Sequence, residues 1–273
     1  MIKFILVAST VVLFLIFSIP VLIVERCIGK KDPEKKNRQS LAIVQFMFRF
    51  ILKVAGVHIT VKGAEHVPKD RPVLYVGNHR SYFDILVGYT TVTTLMGFMA
   101  KKEMERIPLL SNWMRNVNCL FLDRENIREG LKAIMEGVDH VKNGISVWIF
   151  PEGTRNEAED CLDLMPFKEG SLKIAEKTGC PVVPVAITGT AEAFESHYPR
   201  IRSSRVTIEF GEPFIIPARV PLRAASVGES ALQDSVRDGI RVLSMEKKKN
   251  AGAYARDVIY DMLLKEKKLR EEN

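Results

Sequence analysis

From Phe4 to Val24 no position is charged, and Leu, Ile, Val and Phe dominate. About 20 helical residues span the ~30 Å hydrocarbon core of a bilayer. Residues 1–25 are therefore expected to form a transmembrane or membrane-anchoring helix, with Pro20 a point where it could kink. A cleaved signal peptide is the rival, but its apolar region is usually about 7–15 residues and ends at a small-residue site. This run is longer and ends in Val24-Glu25-Arg26-Cys27. A second apolar segment, 41–57, is broken by Gln45, Arg49 and Lys53 at i, i+4 and i+8, and by Gly56. Those three make one narrow polar stripe on a helix. Residues 26–57 thus read as a basic linker and an amphipathic helix. That helix either lies in the membrane interface or packs on the core with its basic edge in solvent.

Beyond residue 57, short β-branched runs alternate with helical patterns. Strands are expected at 58–62, 73–76, 119–122, 146–150, 182–187 and 206–210. Ile127, Leu131, Ile134, Met135, Val138 and Val141 fall at 3.6-residue spacing, with Asn126 as N-cap and Gly144 as stop, which predicts a helix. The expected fold is α/β: a single domain over 58–218, with a largely buried mixed β-sheet flanked by helices. Residues 219–273 read as a helical tail, a solvated face or frayed end rather than a site. In such sheets the loops at strand ends carry the chemistry.

A net charge of +7 implies an acidic partner: nucleic acid, an anionic membrane or a polyanionic substrate. Arg26, Lys30, Lys31, Lys35, Lys36 and Arg38 follow the first apolar run, against Lys3 alone before it. By the positive-inside rule the rest of the chain then lies on the cytoplasmic face, with a cluster that attracts anionic headgroups. Aromatic residues are not interleaved with a basic patch, which argues against a nucleic-acid surface. Cys27, Cys119, Cys161 and Cys180 form no C-x-x-C pair and read as reduced and structural.

Four strand ends carry candidate chemistry. Asn78-His79-Arg80-Ser81-Tyr82-Phe83-Asp84 follows the run 73–77. In one continuous helix His79 and Asp84 would stand about 140° apart. They can meet only with His79 on the loop and Asp84 in the first turn of the next helix, where Asp84 could orient an imidazole base. Ser81-x-x-Asp84 is also a capping-box pattern, and taken alone the segment reads more simply as a helix start. Asp123-Arg124, after an apolar strand, reads alone as a surface pair. In Phe150-Pro151-Glu152-Gly153-Thr154-Arg155, Pro and Gly make a turn, Gly153 permits close backbone approach, and Arg155 can fork onto phosphate. Pro181 to Val185 is a proline-punctuated strand. G-x-S-x-G, P-loop, H-E-x-x-H and dinucleotide fingerprints are absent.

In this order the segments resemble the phosphate-acyltransferase family, whose best-known members are the 1-acylglycerol-3-phosphate acyltransferases. The resemblance runs from about Val73 to Ile187 and includes Ala100-Lys101-Lys102-Glu103 and Phe167-Lys168-Glu169-Gly170. Two positions depart from the pattern: Asn118, where Gly is frequent, and Asn156, where Ser is common. Neither is expected to touch the chemistry. The resemblance implies that His79 is a general base oriented by Asp84. It implies that Lys101, Arg124 and Arg155 hold an acceptor phosphate, and that Glu152, Gly153 and Thr154 orient the glycerol. It further implies transfer of a fatty-acyl group from acyl-CoA or acyl carrier protein to the sn-2 hydroxyl of lysophosphatidate at a membrane, with no metal or bound cofactor. Glycerol 3-phosphate or another lysophospholipid is the alternative acceptor. A non-catalytic basic membrane-binding protein is the alternative of a different kind.

Overall fold

A computed structural model describes residues 1–217, 239–244 and 250–272. The helices are α1 (Ile2–Phe17), α2 (Ile19–Gly29), α3 (Pro33–Ala55), α4 (Phe83–Thr91), α5 (Leu110–Asn116), α6 (Ile127–Lys142), α7 (Lys173–Thr178), α8 (Thr190–Ala193) and α9 (Ala251–Glu271). The strands are β1 (Val57–Lys62), β2 (Leu74–Gly77), β3 (Met96–Lys101), β4 (Leu120–Leu122), β5 (Ser146–Ile149), β6 (Val182–Thr188), β7 (Ser204–Phe210), β8 (Phe214–Ile215) and β9 (Arg241–Val242). The chain gathers into two compact units. One comprises Met1–Thr60, Ser81–Ala133 and Gly189–Val206; the other comprises Val61–Arg80, Ile134–Thr188 and the described part of Thr207–Asn273.

In the first unit the expected single N-terminal helix is instead a pair, α1 and α2, bent by 52°. Ser18 sits at the break, and Pro20 falls in the first turn of α2, where its missing N–H removes no helical bond. Among the described residues no single helix is long and apolar enough to cross a membrane, although the bent pair together meets the length and composition of a broken span. One face of the pair is tied down. Lys3 Nζ donates to Ala55 O (2.9 Å) and Ser203 Oγ (2.7 Å), and Trp113 Nε1 donates to Ser18 Oγ (2.8 Å). Phe4 stacks on Phe194 and Phe14 leans on Trp113. The other face leaves Ile2, Leu6, Leu13, Phe17 and Ile23 exposed.

Helix α3 starts on Asp32, whose carboxylate accepts from Lys35 N–H, and stops at Gly56 with φ +77°. It buries Leu41, Val44, Ile51, Leu52 and Ala55, yet leaves Phe46 and Phe50 in the open. The polar stripe expected on it divides. Arg49 and Lys53 are exposed, whereas Gln45 turns inward and donates to Tyr89 O and Val92 O at the end of α4. Strands β3 and β4 pair in parallel, with Lys101 opposite Leu122.

The second unit holds a mixed sheet. Strand β2 lies between β5 and β6, parallel to both, and β6 pairs antiparallel with β7 and β8. Every position of β2, β5 and β6 is buried, as the unbroken apolar runs demand. Tyr75 and Trp148, cross-strand neighbours, stack at 4.9 Å. The α/β class with a mixed sheet is as expected.

The C-terminal tail departs from its reading as a solvated or frayed end. Its stretches 218–238 and 245–249 lie outside the described residues, but α9 buries Ala255, Ile259, Met262 and Leu263. Even its Glu266 is buried, accepting from Lys62, Thr207 and Arg270.

Candidate active site

Strand β2 ends at Gly77, and Asn78 extends it by other means. The buried Asn78 amide donates to Ile187 O (2.9 Å) and accepts from Ile187 N–H (2.8 Å), so a side chain imitates the next rung of the β2–β6 ladder. This fixes where the chain leaves the sheet. The following residue, His79, is half-buried on the loop, with its ring flat against Phe150, centroids 4.1 Å apart and planes 8° from parallel. Phe150 directly follows β5, the parallel neighbour of β2, so two adjacent strand ends build the stack.

The backbone of His79 is held on both sides. Its N–H donates to Glu152 Oε1 (2.9 Å), and its carbonyl accepts from Asn156 N–H (2.7 Å). Glu152 is 4% exposed. Its Oε2 accepts from Asn156 Nδ2 (2.9 Å) and Met165 N–H (3.1 Å). Asn156, expected to stand apart from the chemistry, therefore touches both His79 and Glu152. Gly153 takes φ +82°, and a Cβ there would come within 2.8 Å of Lys168 Nζ, so the turn needs glycine on two counts. Thr154 is exposed and Arg155 half-buried on the same turn. Lys168, which sequence reasoning did not single out, lays a cation beside Gly153; its only signal was the Phe167-Lys168-Glu169-Gly170 match.

The loop beyond is tied from two directions. Arg80 donates to the carbonyls of Ala158 and Asp160. From α9, Arg256 reaches Leu164 O (2.7 Å) and Met165 O (3.3 Å), and Lys267 pairs with Asp160 (2.7 Å).

In the first unit Asp84 lies in the first turn of α4 and is 1% exposed. Its Oδ2 accepts from Ser81 N–H (2.8 Å), the carboxylate half of the capping box, while Ser81 Oγ accepts from Phe83 N–H. Its Oδ1 accepts from the Thr190 hydroxyl at 2.6 Å. Thr190 lies 106 residues away along the chain and gave no local signal. Nearby, Glu195 Oε1 accepts from Tyr82 N–H (2.9 Å).

Lys101, at the end of β3, is exposed and pairs with Glu103 at 3.1 Å. Asp123 Oδ1 caps the turn after β4 by accepting from Glu125 and Asn126 N–H, and these bonds hold its pKa below the ordinary aspartate value. Arg124 is exposed, yet partial desolvation of its guanidinium presses its pKa down against the opposing charge of Glu103, and the group remains cationic. Asn126 Oδ1 accepts from Arg128 and Glu129 N–H, which makes it the N-cap its position predicted. Asn118 has φ +59°, the left-handed region that Gly enters freely and Asn tolerates, so its departure from the family pattern preserves the backbone. Among the described residues no cluster of His, Cys, Asp or Glu could hold a metal ion.

Parallel strands thus deliver a histidine loop and a glycine turn at neighbouring ends, the position where the loops of α/β sheets gather binding and reactive groups. An acyltransferase family model matches residues 58–188 of the chain. The chain is 33% identical over 157 residues to a 1-acyl-sn-glycerol-3-phosphate acyltransferase of Borreliella burgdorferi, covering 58% of this chain and 62% of that one. It is 31% identical over 166 residues to the enzyme of the same name from Saccharomyces cerevisiae, covering 59% and 54%. The chain thus spans less than two thirds of these relatives' own lengths. The crystal structure of the 1-acyl-sn-glycerophosphate (LPA) acyltransferase PlsC from Thermotoga maritima is similar with a TM-score of 0.64 at 26% identity. That match covers 88% of this chain and 94% of the other.

Proposed function

We propose that this protein transfers a fatty-acyl group from acyl-CoA or acyl carrier protein to the free sn-2 hydroxyl of 1-acylglycerol 3-phosphate, giving phosphatidate. His79 is the general base and Asp84 fixes its tautomer. An imidazole nitrogen takes the hydroxyl proton as the oxygen attacks the thioester carbonyl. The carbon–sulfur bond then breaks, and the departing thiolate takes the proton from the imidazolium. Arg124, Arg155 and Lys101 bind the acceptor phosphate, a task suited to forked guanidinium groups. Gly153 and Thr154 shape the turn that meets the glycerol. The thioester supplies its own leaving group, so the step needs no metal or bound cofactor.

The observation that carries this reading is the His79 loop, with its ring flat on Phe150 and both backbone groups hydrogen-bonded. Support comes from the named activity of the relatives and of the Thermotoga maritima structure. The N-terminal helices bring the enzyme to its lipid. The exposed apolar face of α1 and α2 enters the bilayer, with Phe46 and Phe50 of α3 as further apolar contacts. The catalytic residues then lie on the cytoplasmic side, as the basic residues after α2 favour.

Purified protein is to be mixed with acyl-CoA and either lysophosphatidate or glycerol 3-phosphate, and thiol release followed. Release with lysophosphatidate and little with glycerol 3-phosphate is expected. The opposite preference would reassign the acceptor, and no release with either would sink the acyltransferase reading.

A further inference from the structure

We propose that Glu152 and Asn156 are positioning residues that lock the His79 loop from beneath, and that Glu152 is not a ligand of the acceptor. This rests on His79 being the general base. Glu152 stands where an acceptor-orienting residue is expected, but its geometry points inward. At 4% exposure its two oxygens receive three N–H groups, from His79, Asn156 and Met165. A carboxylate offers about four lone-pair sites in all. Three are taken by the protein's own backbone and side chains, and the buried group presents almost no surface to a lipid.

Asn156 grips the same residue from the other side. Its N–H donates to His79 O at 2.7 Å. Its side chain donates to Glu152 Oε2 (2.9 Å) and Asp163 O (2.7 Å), and accepts from Ala158 N–H (3.0 Å). The N–H and the C=O of His79 are therefore both anchored on one buried pair. A serine at 156 could satisfy Glu152 or Asp163, but its single hydroxyl proton could not serve both. Helix α9 closes the lattice. Arg256 holds the carbonyls of Leu164 and Met165, and the Met165 N–H is the third donor to Glu152.

A general base works within hydrogen-bond reach of the proton it removes, and a misplacement of about 1 Å can cost about 10²-fold in rate. The lock therefore sets kcat rather than acceptor affinity. Glu152→Gln is the sharpest perturbation. The amide keeps an oxygen for His79 but turns its NH2 toward two N–H donors, or the reverse.

The experiment uses the full chain with Glu152→Gln and Asn156→Ser. It combines steady-state kinetics against lysophosphatidate with hydrogen exchange at the His79 amide. For Glu152→Gln, kcat should fall about 10²-fold while KM for lysophosphatidate stays within about twofold. Exchange of the His79 amide should quicken at least about tenfold as its bond opens. Asn156→Ser should move both readouts the same way by less, and it carries the test if Glu152→Gln does not fold. A raised KM with kcat preserved would make Glu152 an acceptor ligand and overturn the proposal. So would unchanged His79 exchange in the folded variants. Should His79→Ala keep full activity, the base assignment fails, whereas His79 exchange still decides whether the lock exists.

Discussion

Replacing Asn78 by Ala tests how the histidine loop leaves the sheet. The substitution removes two hydrogen bonds, of 2.9 and 2.8 Å, both to the backbone of Ile187. Asn78 is 1% exposed and Ile187 equally so, and water does not readily replace the lost amide. A buried backbone group left unsatisfied costs about 1–3 kcal/mol, and two are left here. Partial relaxation brings the expected loss to about 2–4 kcal/mol, a large part of the stability of an ordinary domain. Denaturant unfolding at fixed detergent should show the midpoint falling with m unchanged. Asn78→Asp adds a signature of sign. Its Oδ can still accept from Ile187 N–H, but the other oxygen faces Ile187 O and repels it until protonated. That variant should be at least as unstable as Asn78→Ala at neutral pH and should recover relative to it as pH falls. If Asn78→Ala lies within about 0.5 kcal/mol of the parent, the size of a neutral surface change, the ladder-rung account is wrong.

Other outcomes follow from particular contacts. Thr190→Val removes the hydroxyl donor to Asp84 Oδ1 and should cost about 1.5–3 kcal/mol, with Thr190→Ser close to the parent; equal melting of the two would refute it. Burial works to raise the pKa of Glu266, but hydrogen bonds from Lys62, Thr207 and Arg270 outweigh it and hold the pKa below the ordinary glutamate value. Its stabilisation is therefore present above the unfolded-state value of about 4.3 and lost as pH falls through the lower folded value. Glu266→Gln should narrow the stability gap between neutral and acid pH, and an unaltered gap would contradict this. Burial lifts the Cys180 thiol to about 11, and Cys119 is buried and raised as well. Both should resist iodoacetamide in the folded protein and react once it is unfolded, as read by mass spectrometry.

The sequence made the framework legible wherever a local signal sufficed. Unbroken apolar runs announced β5 and β6, and the 3.6-residue period with Asn126 announced α6. The position of Asp84 in the first turn of α4 followed from the Ser81-x-x-Asp84 pattern. Strand β3 was missed because Met96-Gly97-Phe98-Met99-Ala100-Lys101 neither alternates nor concentrates β-branched residues. Gly97 is there because the backbone of Asn118 passes where a Cβ would stand, and that neighbour is 21 positions away. The N-terminal run showed its hydropathy but not its bend, since Pro20 was compatible with either a kinked span or a new helix start.

The inward turn of Glu152, the tie from Thr190 to Asp84 and the grip of Arg256 on the Met165 loop share one cause. Each joins a side chain to a distant or non-periodic partner. Composition and spacing carry no trace of such pairs. Asn156 and Asn118 show the complement: departures from a family pattern became interpretable once their backbone geometry was visible.

The most direct test of the central claim is thiol release from acyl-CoA in the presence of lysophosphatidate, compared between the parent chain and His79→Ala at matched folding. The account predicts turnover by the parent and its near-complete loss in the variant. General base assistance alone is worth about 10²–10⁴-fold. Parent-level turnover by His79→Ala would contradict the mechanism, and the absence of turnover by the parent itself would contradict the function.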